Sequence, residues 1–103
     1  MAFLMIRHRV ENFERWKPLY DAHGVVRKQA GCKNEQLLQS NGDPNDLFIL
    51  FEWDSLEHAK KFTQSQDLME TMKNAGVIGV PEFDFLEQIE RKESGQASER
   101  KVA

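Results

Sequence analysis

The chain has 103 residues, 40% of them hydrophobic and 30% charged, the balance of one soluble domain rather than of a disordered chain. Seventeen acids against fourteen bases leave a net charge of -3, which argues against a nucleic-acid partner, since such proteins usually present a basic face. The one cysteine, Cys32, excludes an internal disulfide and cysteine-rich metal centres.

No apolar run approaches a membrane span, and Met1–Arg7 is too short and too soon charged for a secretory signal. A cytoplasmic location follows as the expectation. Phe3 to Val10 reads as a strand with Leu4, Ile6, His8 and Val10 on one face and Phe3, Met5, Arg7 and Arg9 on the other. Asn12 is suited to cap a helix carrying Phe13, Trp16, Tyr20, His23 and Arg27 at steps of three or four. Pro18 is expected to split off a short opening turn, and Gly31 to end the helix in a left-handed conformation.

Cys32 to Ser40 is a polar strand suited to a sheet edge, and Asn41 to Asp46 carries dense turn chemistry. The nearly continuous apolar run Leu47–Trp53 predicts a central strand. Asp54 or Ser55 caps a helix whose inner face is expected to be Leu56, Ala59, Phe62 and Lys60. Ser65 or Gln66 opens another turned towards the core by Leu68, Met69, Met72 and Ala75. Ala75 to Pro81 reads as an apolar loop and Glu82 to Arg91 as the last strand. The domain is thus expected over residues 1–91, with a flexible charged tail over 92–103.

This order, β-α-β-β-α-β, predicts a ferredoxin-like α+β fold. Its four-stranded antiparallel sheet has strands one and three in the centre and helices on one face. The strands are apolar on their second face too, so a second copy of the chain is expected to cover it. The segments His8-Arg9-Val10, Asn12 to Lys17, Tyr20 to His23, Arg27 and Gly31 resemble the dimeric α+β barrel proteins grouped with the antibiotic biosynthesis monooxygenases. Asp43-Pro44-Asn45, Glu52-Trp53, Ala59 to Phe62 and Ala75-Gly76-Val77 agree with that resemblance, which covers roughly residues 3 to 90. It implies a homodimer and, among several activities, cofactor-free oxygenation of quinols or anthrones. A haem-degrading branch is expected to use an asparagine in the first strand, and this strand has none.

The chemistry-bearing residues cluster in the first strand and helix. His23 or His8 is the candidate general base, since an imidazole works near neutrality and a deprotonated phenol can react with dioxygen without a cofactor. Tyr20 and Arg27 are candidate orienting groups, Arg27 by bidentate contact to a carboxylate or enolate. Trp16 and Trp53 complete the substrate-binding set, and both fit the plainer role of packing anchors. Arg27 has its own plain reading, a surface pair with Asp21 or Glu14; Glu52 is expected to pair with Arg7 or Arg9. His58 reads as solvated and Cys32 as inert. No metal-ligand spacing, phosphate loop or dinucleotide fingerprint is present. The leading function is a cofactor-independent, monooxygenase-like enzyme for a small aromatic or polyketide-type molecule. The alternatives are a non-enzymatic small-ligand-binding or stress-response dimer, and a haem-binding protein.

Overall fold

A computed structural model of the chain describes residues 1–93. Of the tail expected over 92–103, the part from residue 94 lies outside the described residues. Eight elements follow in order: β1 (Ala2–Val10), α1 (Phe13–Ala22), α2 (Gly24–Ala30), β2 (Cys32–Ser40), β3 (Asp43–Trp53), α3 (Leu56–Thr63), α4 (Gln66–Asn74) and β4 (Val77–Glu87). The sheet runs β2-β3-β1-β4 with every neighbour antiparallel, so β1 and β3 are central. This is the ferredoxin-like arrangement. Among the described residues no helix is long and apolar enough to cross a membrane.

The strand alternation sorts the sheet into two faces. Leu4, Ile6 and Val10 of β1 and Leu47, Ile49, Phe51 and Trp53 of β3 are buried under the helices. They meet Trp16 from α1, Ala59 and Phe62 from α3, Leu68 from α4, and Ala75 just beyond it. Phe62 anchors the middle, its ring 5.0 Å from Trp53 and 6.3 Å from Phe51. The opposite face carries Met5, Phe48 and Leu50 half-buried and Leu38 and Leu86 exposed.

Two asparagines fix the entry to α1. Asn12 Oδ1 accepts from the Glu14 and Arg15 amides at 2.8 and 3.1 Å, as an N-cap should. Asn45 Oδ1 accepts from the Phe13 amide at 2.9 Å and so ties the helix to β3.

Several boundaries differ from the expectations. Pro18 lies inside a continuous α1; it removes only the bond to the carbonyl of Glu14, an exposed residue within reach of water. The break falls instead at His23, whose ψ of -5° separates α1 from α2, just before the helix-weakening Gly24. Gly31 does end α2 in a left-handed conformation, φ 119°. A side chain there would also collide with Asp54, 2.6 Å from an ideal Cβ.

β3 begins at Asp43, so the expected six-residue turn shrinks to Asn41-Gly42. Pro44 is tolerated because the register jumps from Gln39↔Leu47 to Ser40↔Asp43 and leaves it without a partner on β2. β4 likewise absorbs the apolar loop: pairing passes from Arg7↔Glu82 to Arg9↔Ile78, and Gly79 (φ 75°) and Pro81 sit in the bulge between. The strand ends at Glu87. Leu56, Lys60 and Met69, expected inward, are exposed, Leu56 and Met69 by 44% and 60%, because Ala59, Phe62 and Leu68 already fill their helices' inner faces.

Candidate functional site

A narrow cleft opens between the helices and the covered face of the sheet. Ile6 and His8 of β1 and Ile49 and Phe51 of β3 form its floor. Trp16, Tyr20, His23 and Arg27 form one wall, and Phe62, Leu68, Thr71, Met72 and Ala75 the other. Five of the six residues singled out from the sequence therefore meet in one place. The sixth, Trp53, does not line the cleft; it is fully buried in the aromatic cluster with Phe51 and Phe62. Its Nε1 has no hydrogen-bond partner among the described residues.

His8 is 6% exposed, and neither of its ring nitrogens has a hydrogen-bond partner among the described residues. Burial pushes its pKa down to about 4, because a low-dielectric surround disfavours the charged imidazolium. The ring is therefore neutral at pH 7, with one N–H to donate and one nitrogen to accept. Leaving two such groups unmade costs about 1–3 kcal/mol each. A bound molecule that supplies both partners recovers that cost. Trp16 meets the imidazole edge-on, ring centres 5.6 Å apart.

From Trp16 the wall continues as a stack. One helical turn on, Tyr20 lies 4.7 Å away and nearly parallel, and the Arg27 guanidinium sits 4.1 Å over the Tyr20 ring. Arg27 is 3% exposed, so it is not the surface residue considered from the sequence. Its partner is neither Asp21 nor Glu14 but Glu35 of β2. Arg27 Nε donates to Glu35 Oε2 at 2.6 Å and Nη2 to Oε1 at 3.1 Å. Tyr20 also donates to Glu35 Oε1, at 3.0 Å. Burial pushes the Tyr20 phenol above its ordinary value, with nearby Arg27 opposing and Glu35 adding to the rise. Tyr20 thus stays a phenol.

His23 stands at the break between α1 and α2, 8% exposed. Its Nε2 is 2.6 Å from Asp67 Oδ2, in the first turn of α4. A carboxylate on Nε2 sets that nitrogen as the donor and leaves Nδ1 as the acceptor, the tautomer a general base needs. The Ser65 cap, which accepts from the Leu68 amide at 3.1 Å, fixes the turn that holds Asp67.

Other expectations meet different partners. Glu52 accepts from Asn34 Nδ2 at 2.7 Å, not from an arginine. Arg7 and Arg9 are held by Asp46 and Asp43 instead, at 3.1 and 2.6 Å. His58 is exposed and pairs with Asp54 at 2.8 Å. Cys32 is buried, and burial, reinforced by Glu35, pushes its thiol up to about 12. Among the described residues no group of three or more His, Cys, Asp and Glu is placed to hold a metal.

Glu35 and Asp67 were missed from the sequence. Glu35 had a signal: it shares its strand face with Leu37, which points to the helices. Asp67 had none, since its partner lies 44 residues away.

The family model described as antibiotic biosynthesis monooxygenase matches residues 2–74. A structure from Bordetella bronchiseptica, described as a candidate antibiotic biosynthesis monooxygenase, superposes with a TM-score of 0.73 at 16% identity. It covers 85% of this chain and 96% of its own. SnoaB, a cofactor-independent oxygenase from Streptomyces nogalater, gives 0.71 at 10% identity, covering 87% and 94%. At such identities these likenesses speak for the fold alone. A candidate haem-binding protein of Haloarcula marismortui is 37% identical over 49 residues, 48% of this chain but 7% of that relative's length. With the family match spanning residues 2–74 and the fold that surrounds the cleft, the chain belongs to the antibiotic biosynthesis monooxygenase family.

Proposed function

We propose that the chain is a cofactor-independent monooxygenase acting on a small aromatic molecule bound in this cleft. The observation that carries the reading is a pair of imidazoles, His8 and His23, lining one aromatic-walled cleft, with His23 held by the Asp67 carboxylate. His23 Nδ1 takes a proton from a ring-conjugated hydroxyl, and Asp67 stabilises the imidazolium that results. The neutral His8 ring accepts and donates one hydrogen bond each and fixes the ring in place. The electron-rich anion then adds to dioxygen at carbon, and His23 returns the proton to give a hydroperoxide. Loss of water leaves a carbonyl, so that a CH2 carbon and O2 become C=O and H2O. Trp16, Tyr20 and Phe51 exclude bulk water from the anion.

Size narrows the substrate. The cavity measures about 40 Å³, room for roughly three waters. A single ring requires side-chain movement in the cleft walls, and a fused anthrone requires the helical walls to part further. A haem macrocycle does not fit, although a neutral, unpartnered His8 has the chemistry of an axial ligand.

The proposal extends to a homodimer in which the second copy covers the apolar sheet face of Met5, Phe48 and Leu50. An oxygen electrode tests the function with a panel of hydroquinones and anthrones. Wild-type protein is expected to consume one O2 per carbonyl formed, and His23→Ala to lose turnover while keeping its fold. Oxygen uptake unchanged in His23→Ala removes that residue from the mechanism; no uptake with any member of the panel favours the non-enzymatic binding module.

A further inference from the structure

The cleft contains an arginine, yet that arginine is not available to an anion. Arg27 commits Nε and Nη2 to Glu35 at 2.6 and 3.1 Å, with the guanidinium side chain only 4% exposed. Tyr20 spends its hydroxyl on the same carboxylate at 3.0 Å. His23, the other basic group beside the cleft, is held by Asp67. Each cationic or cation-forming group on this wall therefore has its own carboxylate. What remains unpartnered among the described residues is His8, more than nine-tenths buried, with a free donor and a free acceptor on a neutral ring. Its complement is a hydroxyl group, which offers one of each. An anion entering the same space loses its water and meets no spare positive charge.

We propose that Glu35 sets the charge class of the ligand: by neutralising Arg27 it reserves the cleft for uncharged, hydroxyl-bearing aromatic molecules and excludes carboxylates. Glu35 is thus a specificity-determining residue that touches no substrate. The proposal rests on the reading that the cleft binds an aromatic ligand, but not on turnover. Within it, the Arg27–Glu35 pair keeps Tyr20 stacked on Trp16, and His8 makes the polar contact. The bidentate clamp expected of Arg27 from the sequence is occupied from within the protein.

The test is a chemical-shift titration of the wild-type protein with 4-ethylphenol and with 4-ethylbenzoate at pH 7, following the Trp16 indole. The phenol is expected to bind at least about tenfold more tightly than the benzoate, a gap of about 1.4 kcal/mol. In Glu35→Gln the amide keeps the shape and an acceptor for Tyr20 but frees the charge of Arg27. The benzoate-to-phenol ratio of dissociation constants is expected to fall at least about tenfold. The double variant Arg27→Met/Glu35→Leu removes both charges, and its ratio is expected to match wild type whether or not the single variant folds. Equal wild-type affinity for the two probes overturns the charge assignment while leaving the cleft a binding site. An unchanged ratio in folded Glu35→Gln, or a shifted ratio in the double variant, also overturns it. Binding of neither probe overturns the cleft reading along with it, and a failure of oxygen uptake alone touches only the enzymatic role.

Discussion

Replacing His8 with methionine should flatten the acid limb of the stability profile. The folded state holds this imidazole at about 4 by burial, whereas in the unfolded chain it titrates near 6.5. Above pH 6.5 both states carry a neutral ring and the difference has no effect. As the pH falls the unfolded chain takes up a proton that the fold refuses, so stability is lost progressively down to about pH 4. The full gap of about 2.5 pH units corresponds to roughly 3 kcal/mol, of which about 2 kcal/mol falls between pH 7 and pH 5. Urea unfolding followed by tryptophan fluorescence at pH 7, 6 and 5 measures it. The wild-type curve should drop relative to His8→Met by that amount, the subtraction removing the carboxylates common to both. Parallel curves would show that His8 is protonated as easily in the fold as out of it, and would refute the picture of a buried, unpartnered ring.

Three further outcomes follow from local geometry. Gly31→Ala combines a φ of 119° with a Cβ 2.6 Å from Asp54 and should cost about 2 kcal/mol in urea unfolding; a neutral effect would mean the α2–β2 junction rearranges freely. Cys32, with its thiol pushed up to about 12 from 9.0, should react with an aromatic disulfide reagent at pH 8 about a thousandfold more slowly in the folded protein than after denaturation, and equal rates would contradict its burial. Leu50→Asp, at the centre of the open sheet face, should turn a sedimenting dimer into a monomer; a monomeric wild-type chain would contradict the dimer itself.

Much of this was written in local pattern. The alternation of Leu4, Ile6, His8 and Val10 placed the histidine among core residues. The three- and four-residue steps through Trp16, Tyr20, His23 and Arg27 put four cleft residues on one helical wall. Tertiary pairing was harder to read. Arg27 and Glu35 lie on either side of Gly31, and only the fold of α2 back onto β2 brings them together. His23 meets Asp67 across the cleft, and nothing near either residue announces the other. Strand lengths failed where Pro44, Gly79 and Pro81 looked like loop residues; register shifts on the edge pairings accommodate them. Of the two roles open to Trp53, ligand contact and packing anchor, the structure gives it the second, since its place under Phe62 puts it in the core.

Oxygen-18 labelling tests the central claim most directly. Protein incubated with an anthrone or hydroquinone under 18O2, with chelator present, is predicted to yield a carbonyl product carrying one labelled oxygen, and His23→Ala is predicted to yield none above the uncatalysed background. A product whose new oxygen comes from water, or whose label is the same with and without protein, would contradict an oxygenase built on this cleft.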